Sequence, residues 1–546
     1  MKRVMIELRA SAELADAVAS GRGVEKLELP GFRPDTEFAP VALPAITRRE
    51  HSGDARETGA MFDVNMSPGA ATWLIRGQMP EDRPMPKLPG NIAGIYADCE
   101  VETATICPGG GPLGTDADVE RLLGVTRMRR CGMDGAGVLV AIVDTGINLA
   151  HLNARGKTPG FDAARSFSSI AGQLPGQAPV GHGTMCAFDV CIAAPRCTLL
   201  DIAVLQSLNF GTLLSDIVRA YAGLQGIMAA PRRPGEARSL VVNNSWALFN
   251  MASDFPVGDP RNYSDNINHP MNRAVTALEA LGADILFAAG NCGADCPDGR
   301  CDTTARTIRG ANSHPAVLSV AGVDTNRVRV GYSSIGPGRL AFNKPDISGF
   351  THFRGSGVYA ADGGTSAACP VVAGVVAALR SIRPFNPADP TSRPAATRAL
   401  VTSTARDLGV SGYDLAHGFG VVNGGTIARR LCVELKPINI CDRFPSLCEP
   451  LDHFRFDLCR RYPWLCQNVL PERDFPRPPG PVEFPREIPG RERLLRLMAE
   501  VGEDEEQLAE EVVQAYILGM MHAERAPDQP APAKNHGGGG GCGCKG

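Results

Sequence analysis

The chain has 546 residues, of which 44% are hydrophobic, 21% charged and 6% aromatic, enough apolar material for one large core and three domains or fewer. Lysine and arginine number 55 against 59 acidic residues, a formal net charge of −4, so no broad basic field exists to hold nucleic acid or an anionic membrane surface. The mean hydropathy of −0.08, with no uninterrupted apolar run of about 18 residues, argues against a spanning helix and leaves a soluble globular protein, expected to be an enzyme.

The N-terminus opens Met1-Lys2-Arg3 but places Glu7 and Arg9 inside its short apolar stretch. A secretory signal needs an uncharged apolar region and a small-residue cleavage site, so a cytoplasmic location is expected. Seventeen cysteines pull the other way, since dense cysteine usage often accompanies disulfides and an oxidising compartment.

Residues 1–105 read as a small α+β domain, with strands at 4–8 and 71–75 and a short helix at 12–19. A Gly/Pro-rich linker follows over 106–119. From 120 to 431 strands and helices alternate. The runs 138–143, 199–205, 240–242, 285–289 and 317–323 are mostly apolar, as befits strands buried on both faces, with helical patterns at 213–228 and 271–281 between them. The fold class expected is α/β, a doubly wound, mostly parallel sheet whose chemistry sits beyond the carboxyl ends of the strands.

Beyond 431 the chain becomes a Cys/Pro-rich, partly helical extension. Cys441-x6-Cys448 and Cys459-x6-Cys466 form an internal repeat in 432–470, with spacings too long for a zinc ribbon. Residues 471–490 hold seven prolines and read as an extended linker, 491–524 as an acidic amphipathic helical segment, and 525–546 as a flexible Gly/Cys tail.

Three segments of the central region belong together: Val143-Asp144-Thr145-Gly146, Gly181-His182-Gly183-Thr184 and Gly363-Gly364-Thr365-Ser366. A weak hydroxyl nucleophile needs a base, and the base needs an acid to fix its tautomer. Asp144 at a strand end, His182 at a helix start and Ser366 at the mouth of an apolar helix supply those roles in one chain order. Any one segment alone reads more simply as a turn or cap; the three together do not.

These motifs resemble those of the subtilisin-like serine proteases, the subtilases, over about residues 120–430. The resemblance implies a subtilisin-like fold and peptide-bond hydrolysis through an acyl-enzyme, with Asp144, His182 and Ser366 as triad. It implies that Asn291, in Phe287-Ala288-Ala289-Gly290-Asn291, is the oxyanion-hole donor. Ser245, Trp246 and Ala247 resemble the edge strand that pairs with substrate backbone, although family members usually carry glycine at the last position. Met185 to Phe188 depart from the usual sequence after the histidine, so the contacts of that helix are open. The resemblance also implies a thiol one turn below the histidine, at Cys186, and stabilisation by calcium, for which no ligand cluster is legible. No metal ligand is assigned.

Residues 1–105 stand where subtilases carry an inhibitor and folding chaperone whose end occupies the cleft; the alternative is an unrelated N-terminal domain. The expected partners are thus a polypeptide substrate and the chain's own N-terminal domain. Two other functional readings are a latent or non-catalytic scaffold and a peptide-maturation protease with a modifiable Cys-rich tail. The related sedolisin type would need Glu for His182 and Asp for Asn291. Cys292, Cys296 and Cys301 cluster behind Asn291, where a local disulfide or free thiols are favoured over a metal.

Overall fold

In the computed structural model all seven residues of the strand Val138–Asp144 are buried, and they divide between two cores. Leu139, Ala141 and Val143 face one apolar cluster, while Val138, Val140 and Ile142 face another. This is the period-two alternation of a strand covered on both faces, and it explains the continuous apolar run. The structure describes residues 1–432 except 12–13, 15–17, 25–26, 28, 49–61, 68, 82–87, 104–110, 207–211 and 232–238. Much of the helix expected at 12–19, part of the linker at 106–119, and the whole repeat, linker, helical segment and tail beyond 432 lie outside the described residues.

The central sheet has eight strands, all paired parallel. Its order is Gly160–Phe161, Thr198–Ala203, Val138–Asp144, Ser239–Asn244, Ala283–Ala288, Leu318–Val323 and Ile347–Phe350, with Phe167–Ser168 also on Thr198–Ala203. Each expected strand is present. The order reverses beside Val138–Asp144, which opens a crevice at the carboxyl ends of the strands.

One face carries the helices His182–Ala193 and Thr365–Ile382. They approach closely because Gly374 has no side chain: a Cβ there would lie 2.4 Å from the Val190 carbonyl oxygen. Phe188, one of the residues that depart from the usual sequence, is buried in this contact region. Thr365–Ile382 is long and apolar enough to cross a membrane by composition alone, but 89% of it is buried, as a core helix.

The other face carries Leu214–Ala229 and Pro270–Ala280, close to the expected spans. The N-terminal strands share this second core: Met5, Ile6, Leu74 and Ile95 belong to the same apolar cluster as Ile217, Leu224 and Val275. Those strands form an antiparallel sheet in the order Arg33–Pro34, Thr72–Met79, Lys2–Leu8, Ile92–Ala97, with Val41–Leu43 also on Thr72–Met79. The chain then leaves this sheet. Glu100–Thr103 runs antiparallel between Thr212–Leu213 and Trp246–Ala247, as the middle of three short strands. A helix follows at Asp116–Leu123, its first four residues falling in the expected linker 106–119, started by a reciprocal cap between Thr115 and Asp118.

Candidate active site

Asp144 is the last residue of its strand and fully buried; His182 is the first residue of its helix and 7% exposed. The His182 Nδ1 lies 2.8 Å from Asp144 Oδ1 and 3.0 Å from Oδ2. The glycines of the two motifs make this pairing possible. A Cβ on Gly183 would stand 2.6 Å from the Gly146 carbonyl oxygen, and Gly146 itself has φ +106°. The Gly183 N–H donates to Thr145 Oγ1 at 3.0 Å and the Asn148 N–H to Thr184 Oγ1 at 3.0 Å, so the two segments are interlocked. The carboxylate holds the Nδ1 side of the ring; His182 Nε2 is buried with no partner among the described residues.

Ser366 is the second residue of its helix, after Gly364 at φ +74°, and is 1% exposed. Its hydroxyl donates to the Ser245 carbonyl oxygen at 3.2 Å rather than to the histidine. Pro370 lies four residues on inside the same helix and has no N–H to give, so the Ser366 carbonyl lacks its usual helical donor. Two side chains take that place: Ser245 Oγ donates to it at 2.9 Å and the Cys186 thiol approaches at 3.6 Å. The same sulfur lies 3.8 Å from Asp144 Oδ2 and 3.8 Å from His182 Nδ1. Burial, reinforced by the Asp144 charge, pushes the Cys186 thiol well up, which keeps it a neutral filler against all three motif segments. Among the described residues the group spaced for a metal is Asp144, His182 and Cys186, so a soft ion bound there would occupy the acid–base pair itself.

Asn291 is fully buried. Its Oδ1 accepts from the Thr365 N–H at 2.9 Å and from Thr365 Oγ1 at 2.8 Å, and that hydroxyl in turn accepts from the Gly290 N–H at 3.1 Å. Thr365 therefore fixes which end of the amide is oxygen. This role was hidden in the sequence although Thr365 sits inside the serine motif. Ser245, Trp246 and Ala247 are all buried; Trp246 and Ala247 pair with Thr103 and Glu102. Ala247 packs with Phe249 and Cys292 in a small apolar cluster, so its methyl serves packing at the base of this strand. Cys292 and Cys301 are joined in a disulfide that closes the loop directly behind Asn291, as the local-disulfide reading expects. A second disulfide joins Cys131 to Cys432. Sequence reasoning also missed Arg300 on the closed loop, which reaches Glu102 and Thr103.

A family model described as the Subtilase family matches residues 135–420. The chain belongs to the subtilase family. As a subtilase it stands among the subtilisin-like serine endopeptidases. It is 28% identical over 311 residues to Subtilisin DY from Bacillus licheniformis, covering 55% of this chain and 94% of that one. It is 27% identical over 280 residues to the subtilisin-like protease PopC from Myxococcus xanthus, and 26% identical over 275 residues to the serine protease AprX from Bacillus subtilis. The matched part spans about half the length of these last two, 55% and 54%. The crystal structure of MycP1 from Mycobacterium smegmatis aligns with a TM-score of 0.40 and 20% identity, over 61% of this chain and 91% of that one.

Proposed function

We propose that the protein cleaves polypeptides by acyl transfer from Ser366. The observation that carries this reading is the Asp144–His182 pair, clamped at 2.8 Å on Nδ1, with Nε2 unpartnered among the described residues. The reading requires the Ser366 side chain to turn away from Ser245 toward that nitrogen; such bonds are often open before substrate binds. As Ser366 Oγ bonds to the substrate carbonyl carbon, its proton passes to His182 Nε2 and the carbonyl π pair moves onto oxygen. The Asn291 amide N–H and the Ser366 backbone N–H, one of the unpaired donors at a helix start, hold that oxyanion. Collapse expels the amine, which takes the proton from His182. Water then attacks the acyl-enzyme by the same steps in reverse. Asp144 keeps the ring in the tautomer with its proton on Nδ1 and steadies the imidazolium. The experiment is labelling with a serine-directed fluorophosphonate: the wild type labels and Ser366→Ala does not; labelling that persists in Ser366→Ala overturns the reading.

The N-terminal unit is proposed as an inhibitor held in the cleft. Support comes from Glu100–Thr103, which lies as the middle strand where an extended substrate would find two open edges. Identical mature N-termini for wild type and Ser366→Ala would count against self-processing. Disulfides such as Cys131–Cys432 and Cys292–Cys301 favour an oxidising compartment over the cytoplasmic location expected above, and fractionation of the host distinguishes the two.

A further inference from the structure

The three-stranded arrangement in the cleft has a readable register. Glu102 lies opposite Ala247 and Thr103 opposite Trp246. The residue before Trp246 is Ser245, whose carbonyl oxygen receives the Ser366 hydroxyl at 3.2 Å. A polypeptide laid down in this register thus presents to the nucleophile the residue that faces Ser245. The side chain facing Ala247 then belongs to the third residue before the scissile bond, and in this chain's own segment it is a glutamate.

That glutamate is met by a built partner. Arg300 Nη1 lies 2.5 Å from Glu102 Oε2, and Arg300 Nη2 donates to the Thr103 carbonyl oxygen at 2.6 Å. Arg300 is itself fixed from behind: Nε and Nη2 each reach the Asp298 carboxylate at 3.0 Å, and the guanidinium lies 4.3 Å from the centre of the Phe249 ring. The Asp298 N–H donates to the Asn291 carbonyl oxygen at 2.9 Å, and the Cys292–Cys301 disulfide closes the loop that carries both residues. The planar fork therefore uses one edge on Asp298 and turns the Nη1 side toward the strand in the cleft, with little rotamer freedom left to lose.

We propose that Arg300 is a specificity-determining residue of this protease, selecting an acidic side chain at the third position before the scissile bond. This rests on the endopeptidase reading above. A carboxylate there gains a charge-assisted hydrogen bond to a preorganised donor, a neutral amide gains a weaker one, and a lysine meets a like charge. The contact with the Thr103 carbonyl anchors the backbone of whatever chain occupies the strand, independent of its sequence.

The test uses the full chain with three quenched peptides that differ only at that position. The wild type is expected to favour Glu over Gln by about tenfold in kcat/KM, and Glu over Lys by more. Arg300→Gln should flatten the series and Arg300→Glu should invert it toward Lys. A second arm reads access to Ser366 by its rate of fluorophosphonate labelling. Glu102→Lys should loosen the chain's own segment and speed labelling several-fold. Combining Glu102→Lys with Arg300→Glu should restore the slow rate, a rescue that a merely structural arginine would not give. Ser366-dependent labelling with charge-blind cleavage and no rescue overturns the proposal alone. Absence of Ser366-dependent labelling overturns the endopeptidase reading and this proposal with it.

Discussion

On one face of the central sheet, His182–Ala193 and Thr365–Ile382 meet through glycine, alanine and valine, with backbone almost touching backbone at Gly374 and Val190. On the other face, Leu214–Ala229 and Pro270–Ala280 meet the N-terminal strands through an apolar core edged by charges. Arg76 bridges Asp35 at 2.8 Å and Asp216 at 3.0 Å; Arg273 lies 2.8 Å from Glu7; Asp98 accepts from the N–H and hydroxyl of Ser215 at the start of Leu214–Ala229. The first face is held by close packing, which solvent conditions change little. The second is held partly by groups that gain or lose protons and respond to salt. The proposed catalytic residues His182 and Ser366 sit on the first face, and Glu100–Thr103, the proposed cleft segment, continues from the strands of the second.

The sharpest way to separate the two faces is to disable chemistry without disturbing docking. Ser366→Ala should lower kcat by about 10⁴- to 10⁶-fold while leaving the thermal transition near that of the wild type. A large drop in Tm would mean that the serine is a packing residue. Asn291→Ala should cost about 10²- to 10³-fold in kcat with little change in KM, the mark of an interaction made mainly in the transition state.

The docking face should show its own signature. Burial pushes the Asp98 carboxyl up from 3.8 to about 6, against the opposing pull of Ser215 and Arg76 and with the Asp216 charge adding to the rise. Because the folded value lies above the unfolded one, the folded state binds a proton that the unfolded chain has released. The associated stability is fully present below about pH 4 and is lost as pH rises through about 6. In the Ser366→Ala background, Tm should fall between about pH 4 and about pH 7, and Asp98→Asn should remove part of that slope. An unchanged slope would show that this carboxyl does not report on docking.

The smallest effect lies under the proposed triad. Cys186→Ala should alter kcat by only about threefold, since the thiol is a neutral filler. Yet a bulky mercurial that inhibits the wild type should leave this variant active, and full wild-type activity after proven modification of Cys186 would remove the thiol from the site.

The face that carries the proposed catalytic residues was legible because chemistry and sterics there act through short segments. Gly183 has no room for a Cβ beside Gly146, so the Gly-His-Gly pattern is a packing constraint written in sequence. The parallel strands were legible because burial on both faces leaves an unbroken apolar run. Glu100–Thr103 was not legible as a strand. It is short and half charged, and its partners lie more than a hundred residues away, so nothing local marks it. Thr365 was visible as part of the serine motif, but its hold on Asn291 spans 74 residues. Arg300 was silent for the same reason: its meaning comes from Glu102 and Asp298 being brought to one place by the fold.

Pro370 has a mechanical consequence. By withholding a donor, it leaves the Ser366 carbonyl to be gripped by Ser245, the residue just before the Trp246–Ala247 edge. The proposed nucleophile and this edge are thereby bolted together at one atom. If the proposed substrate pairs with this edge, a chain that pulls on it drags the serine along, so alignment survives the tugging of a long, writhing polypeptide.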